Sequence, residues 1–319
     1  MMQQLLLGQG AAASTSNFSV TTWTGTGSAQ NIDVGVNLSG GDGMVITTAL
    51  DRGSNQCQKR VYDTVRGAGK AIRTDSSIYE FTDSDAISSF NNSGFAVGTS
   101  NFTNSSGNTF AAFTFGVESD YFDIQTWSGD GTTYRSISHN LGQTPKMIWV
   151  KNLSQSVDWV AYTPTTSNNQ YITVNDTHAR RSTSNLWDTH TSSVFKVGAN
   201  TFTNLSNNNY VAYLWGDVSG ERKIGSYSGN GTSSNSINVG FEPQFVLIRN
   251  GTGTGSWNVF DTTRGVTSGN DQRLSLNQSN NQASIQNIDF NSNGFELKSS
   301  QGEINASGST YIYMAIAAA

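Results

Sequence analysis

"NSGFAVGTSNFTNSSGNTFAAFTFG" (Asn92–Gly116) has two relatives further along the chain. They are "TSSVFKVGANTFTNLSNNNYVAYLWG" (Thr191–Gly216) and "NSNGFELKSSQGEINASGSTYIYMAIA" (Asn291–Ala317). The three share a phenylalanine at Phe95, Phe195 and Phe295, an Asn-rich turn and a closing run of aromatic and small apolar residues. Self-similarity at a fixed spacing outranks any local signal. In "GFAVG" a strand puts Phe95 and Val97 on one side. In "FTNSSGNTF" Asn104 is expected to bond its own backbone and Gly107 to take a left-handed conformation. Read locally, each copy predicts a β-hairpin that fixes the register of a larger unit, with no reactive group in it.

Outward from that stretch, each copy opens with an aromatic and a pair of glycines: "TWTGTGS" at Thr22, "TWSGDGT" at Thr126 and "SYSGNGT" at Ser226. Each has an apolar, β-rich run near its middle: "GMVITTAL" (Gly43–Leu50), "PKMIWVKN" (Pro145–Asn152) and "PQFVLIRN" (Pro243–Asn250). Such runs read as strands covered on both faces. A second strand follows in "KRVYDTVRG", "DWVAYTPTTS" and "SWNVFDTTRG". The repeat of about 100 residues is too long for a solenoid unit and large enough to own a core. One helical turn is expected at "DSDAISSF" (Asp83–Phe90), capped by Asp83 or Ser84. The expected fold is all-β: three tandem β-sandwich-like domains at 18–117, 118–218 and 219–319, each of seven or eight strands, behind a short N-terminal segment at 1–17. An incomplete barrel is the alternative.

Only 13% of the 319 residues are charged, against about 25% in ordinary soluble proteins. Asn, Ser and Thr solvate the surface instead. A net charge of −5 and the lack of any Lys/Arg cluster speak against a nucleic-acid partner. Cys57 is the only cysteine, so no intrachain disulfide forms. "MMQQLLLGQGAAAS" makes a poor signal peptide, and no run approaches the roughly 20 apolar residues of a membrane span.

The motifs "ISHNLGQTPKMIWVKN" (Ile137–Asn152), "SSVFKVG" (Ser192–Gly198), "KIGSYSGNGT" (Lys223–Thr232), "VGFEPQFVLIRN" (Val239–Asn250), "WNVFDTTRG" (Trp257–Gly265) and "INASGSTYIYMAIA" (Ile304–Ala317) resemble a repeated β-domain in virion proteins of aquatic tailed bacteriophages. The likeness covers Phe18 to the C-terminus and is stronger in the second and third copies. The first keeps "VYDTVRG" and "SGFAVG", but its "SGGDGMVI" has no proline. The resemblance implies a non-enzymatic virion protein made in the host cytoplasm, without cofactor. It implies a tail-fibre or tail-appendage subunit that presents its domains for host attachment. The implied partners are a tail adaptor or the capsid, other copies of the chain in a homotrimer, and host-surface glycan. A head decoration or cement protein is the second reading, and a particle-bound glycan hydrolase the third.

Candidate site residues are few. Leu5, Leu6 and Leu7 are expected to dock the chain onto the particle. His139, His178 and His190 show no zinc-ligand spacing. Asp63, Asp130 and Asp261 are expected to cap turns rather than ligate calcium, which needs several carboxylates per loop. Asp83/Asp85 and Glu118/Asp120 are too local for a glycosidase pair facing across a cleft. "GTGTGS" (Gly251–Ser256) lacks the lysine and helix of a phosphate loop. Trp127 aligns with Trp23 and Tyr227, and Trp159 with Trp257, which marks core positions. Trp187 has no evident counterpart, so Trp187 and His190 are the expected host-surface contacts.

Overall fold

The computed structural model describes residues 17–266 and 271–318. The expected all-β class holds. The first module runs through β1 (Phe18–Thr24), β2 (Gln30–Asp33), β3 (Gly43–Ala49), β4 (Arg60–Asp63), β5 (Lys70–Arg73), β6 (Phe81–Thr82), β7 (Ile87–Asn91), β8 (Gly94–Val97), the single-turn helix α1 (Asn101–Asn104) and β9 (Thr109–Gly116). The second holds β10 (Phe122–Ser128), β11 (Arg135–Ser138), β12 (Met147–Asn152), β13 (Val160–Tyr162), β14 (Gln170–Thr173), β15 (Arg181–Ser182), β16 (Val194–Val197) and β17 (Asn209–Trp215). The third holds β18 (Arg222–Ser228), β19 (Asn235–Asn238), β20 (Pro243–Asn250), β21 (Asn258–Asp261), β22 (Asp271–Ser275), β23 (Ala283–Ile285), β24 (Ile288–Asn291), β25 (Gly294–Leu297) and β26 (Thr310–Ala317).

Each module builds one six-stranded antiparallel sheet, in the orders β1-β9-β3-β4-β5-β6, β10-β17-β12-β13-β14-β15 and β18-β26-β20-β21-β22-β23. A small sheet covers its outer face: β2-β8-β7, β11-β16 or β19-β25-β24. The repeated stretch is therefore not a hairpin. β8 pairs with β2 and β7, whereas β9 pairs with β1 and β3. The chain crosses from the cover to the main sheet at the Asn-rich turn. Asn104 does not bond its own turn. It accepts from the Thr26 amide at 2.9 Å and donates to Ser28 O and Gly98 O. Asn204 and Asn305 hold Asp130 and Asn230 in the same way. Gly107 is left-handed at φ +77°, as expected. The helical turn falls at α1, behind Ser100, whose hydroxyl accepts from Phe102 N. At Asp83 there is only a turn, closed by the Ala86 amide on Asp83 O, before β7 begins.

The unbroken apolar runs reflect two cores at once. Along β12, Ile148 and Val150 face the cover of their own module, while Met147 and Trp149 face away from it. Along β9 the same split puts Ala112 outward and Phe113 and Phe115 inward; along β26 it puts Tyr313 outward and Met314 and Ile316 inward. The three inward faces meet in one shared core. Phe18 and Phe113 lie 5.0 and 5.8 Å from Phe245, Phe115 lies 5.8 Å from Trp215, and Trp149 lies 5.1 Å from Trp257, ring centre to ring centre. Residues of all three modules line a central void of about 10 Å³, too apolar to hold water.

Polar contacts close the ring in cyclic order. The indole N–H of Trp159 donates to Arg73 O at 2.8 Å, joining module two to one. That of Trp257 donates to Thr173 O at 2.9 Å, joining three to two. At the equivalent place in module one stands Lys59, whose ammonium donates to Asn280 O at 3.1 Å and so joins one to three.

Candidate functional site

Trp187 and His190 are not surface contacts. Trp187 has no exposed area, and His190 is 8% exposed. The reason is the missing third strand in the cover of module two. In modules one and three that strand sets Ile87 opposite Val97 and Ile288 opposite Leu297. In module two a single bridge remains, Trp187 opposite Val197. The indole fills the vacated space, and its N–H donates to Gln170 O at 3.1 Å. So Trp187 does have counterparts, the two isoleucines. His190 stands five residues before Phe195, as Phe90 and Phe290 stand before Phe95 and Phe295. It packs edge-on against Tyr162 at 4.4 Å. Leu5, Leu6 and Leu7 lie outside the described residues.

The three aspartates weighed as calcium ligands serve turns. Asp63 Oδ1 accepts from the Arg66 amide at 2.8 Å, and Oδ2 accepts from Arg66 Nε at 2.5 Å. Asp261 holds Arg264 with the same geometry, 2.8 and 2.6 Å. Both carboxylates are fully buried. Tyr213 of module two also donates to Asp63, at 2.6 Å, so this cap is part of a junction. Module two replaces the pair by Thr163 and Thr166, joined hydroxyl to backbone at 2.9 Å. Asp130 accepts from Thr132, whose hydroxyl is the main influence holding that carboxyl down to about 2. Asp83 is paired with Arg60. Among the described residues no three His, Cys, Asp or Glu side chains converge as metal ligands. His178 is exposed at the junction of modules two and three, with Nδ1 2.5 Å from Asp176 Oδ2.

An open concave surface lies on module one, around the loop "NLSGGDG" (Asn37–Gly43). Asn37 Oδ1 accepts from the amides of Ser39 and Gly40 at 3.2 and 2.9 Å, which turns the chain outward. Gly43 ends the loop where a Cβ would sit 2.4 Å from Leu38 Cδ2 and 2.8 Å from Phe115 O. Modules two and three approach the same strand through "GQTPK" and "FEPQ", so the loop belongs to module one alone.

Two depressions flank this loop and share Ser39 and Phe90 in their walls. One, of about 510 Å³, is lined by Asn31, Ser39 and Phe90–Ser93. The other, of about 490 Å³, is lined by Leu38–Asp42, Thr64 and Phe90. The Ser39 hydroxyl meets Asn92 Oδ1, and Thr64 donates to Asp42 Oδ1 at 2.9 Å. The walls thus carry amides, hydroxyls, one carboxylate and the half-buried edge of Phe90. That set donates and accepts hydrogen bonds in equal measure, as a polyhydroxylated ligand requires. It offers no nucleophile with an adjacent base. The sequence reading missed this groove. The proline-free "SGGDG" was its one visible signal.

Residues 52–319 match the family described as a domain of unknown function (DUF7483). No curated protein and no solved structure matches the chain. The single family match begins in module one ahead of β4 and takes in modules two and three entire. The match thus spans more than one repeat, and the chain belongs to the family of this domain of unknown function, DUF7483.

Proposed function

We propose that the chain is a non-enzymatic structural protein of a bacteriophage particle, a tail-fibre or tail-appendage subunit presenting a rigid β-ring to the host surface. The observation that carries this reading is the ring itself. Three copies of one module close around a common apolar core, a plan suited to display and not to closure over a substrate. The motif likeness to tailed-phage virion domains supports it. So does a surface dressed in amides and hydroxyls, with the shallow Phe90 groove among its polar features. Contacts of that kind are individually weak and gain strength from copy number. The chain's own three modules already cover one another's inner faces, so a homotrimer of the kind fibres form would assemble through outer surfaces.

Gold-labelled antibody on intact and disrupted phage particles tests the reading. Label along or at the tip of the tail supports the appendage role. Label over the head moves the chain to decoration of the capsid. No label on disrupted particles ends the virion reading. Light scattering behind size exclusion reads one chain mass or three. Host polysaccharide incubated with the protein should release no reducing ends.

A further inference from the structure

The cover of module two differs from the other two at a pair of facing positions. Modules one and three carry Val34 with Phe90 and Val239 with Phe290; module two carries His139 with His190. Both histidines are buried, at 5% and 8% exposure. His139 Nδ1 accepts from the Leu141 amide at 3.2 Å, and its Nε2 faces Thr191 O at 3.2 Å. His190 Nδ1 accepts from the Lys196 amide at 3.3 Å, and its Nε2 is buried with no partner. An Nδ1 that accepts from an amide carries no proton, so both rings are neutral in this arrangement. Protonation would set an N–H against an N–H at each ring. It would also place two neighbouring cations under a cover whose outer edge is the irregular segment 186–191, held to β16 by the Trp187–Val197 bridge and three backbone hydrogen bonds rather than by a regular strand.

We propose that the cover of module two is an acid-sensitive latch, released when His139 and His190 take up protons, while the covers of modules one and three stay shut. The groups facing the pair do little to compensate. On the β10 side, Asp123 is occupied by the amides of Ile124 and Asn140 at 2.9 and 2.8 Å. On the β16 side, Asp188 is paired with Lys196 at 3.1 Å. β13 presents Tyr162, which faces His190 with its ring edge-on. Burial lowers the proton affinity of both rings. It takes His190 down to about 4, with the nearby His139 adding to the effect. The sign follows: the folded cover binds fewer protons than the open one between about pH 4 and pH 6.5. Closure therefore weakens as pH falls through that window, by up to about tenfold per unit for His190, with His139 adding a dependence of the same sign.

Hydrogen exchange of the full chain, corrected for the intrinsic pH dependence of exchange, tests this. Amides in 183–197 should lose protection between pH 6.5 and 4, while 86–97 and 287–297 keep theirs. The double variant His139→Val, His190→Phe, which installs the residue types of modules one and three, should abolish the slope. If that variant does not fold, His190→Phe alone should remove about half of it. The proposal is overturned if all three covers lose protection together, or if the folded variant responds to acid as the parent does.

Discussion

Two of the three junctions in the ring are made by tryptophan, and the third by lysine. At the first two, Trp159 and Trp257 each add a large apolar surface and one indole hydrogen bond to the next module. At the third, Lys59 must bury an ammonium to reach Asn280 O, and this desolvation lowers its pKa to about 8. The tryptophan junctions link modules adjacent in the chain. The lysine junction joins the first module to the last, where Thr74 also donates to Leu276 O and the Cys57 amide to Ser279 O. All three junctions share the apolar core, with Phe18 and Phe113 of module one on Phe245 of module three; what sets the closing contact apart is that an ammonium stands where the other two place an indole.

The largest expected effect comes from breaking the ring outright. A chain ending at residue 218 leaves the inner faces of Phe18, Phe113 and Trp149 without module three. It should show no cooperative melting transition, because one core cannot be two-thirds formed. A sharp, independent transition for the truncated chain would mean that each module folds on its own core. Next come single contacts at the junctions. Trp257→Ala should cost about 3–5 kcal/mol in denaturant unfolding. Arg66→Ala, which strands Asp63 in the core, should cost a similar amount, about 3–5 kcal/mol. Replacing Asp63 and Arg66 together by threonine, as at Thr163 and Thr166, should cost distinctly less than Arg66→Ala. Equal costs would show that the pair itself, and not the stranded charge, matters.

A smaller effect concerns the lysine junction. Lys59 has a folded pKa near 8, below its unfolded 10.5, so the unfolded chain binds more protons between those values. Stability should therefore rise with pH from about 8 to 10, by roughly 1–3 kcal/mol at most. Below pH 8 the full penalty stands. Lys151, at the junction of modules one and two, is lowered further by burial, to about 7, and contributes a slope of the same sign. Lys59→Met should flatten the rise in part, and the double variant with Lys151→Met should remove it. A slope unchanged in both would place the pH dependence elsewhere. Smallest of all, Ser39→Ala and Asn92→Ala should leave stability within about 0.5 kcal/mol, since both are exposed. If the proposed glycan contact uses the groove, these two variants should lose it with stability unchanged.

The sequence made the strands legible and hid their partners. "TFAAFTFG" and "MIWVKN" announce burial on both faces, and both faces are buried. Nothing in them says that the second face meets another module, because a shared core and a private one demand the same side chains. The crossing between β8 and β9 looked like a hairpin for the same reason: alternation reports a strand's faces, never its neighbour. Trp187 and His190 were misplaced because module two drops a strand and module one carries a bulge between Ile87 and Ser89, which blurs the alignment. The signal was nonetheless present. Phe90, His190 and Phe290 keep the same spacing of 100 residues as Phe95, Phe195 and Phe295.

A ring closed within one polypeptide forms by a first-order process and is indifferent to dilution. It is also released from symmetry. In an assembly of three identical chains, every substitution appears three times around the axis. Here the Ser39 loop occurs once, the two buried histidines once and the closing lysine once, while the core they share keeps its threefold plan. Each sector can change its outer surface without the other two having to accept the same change.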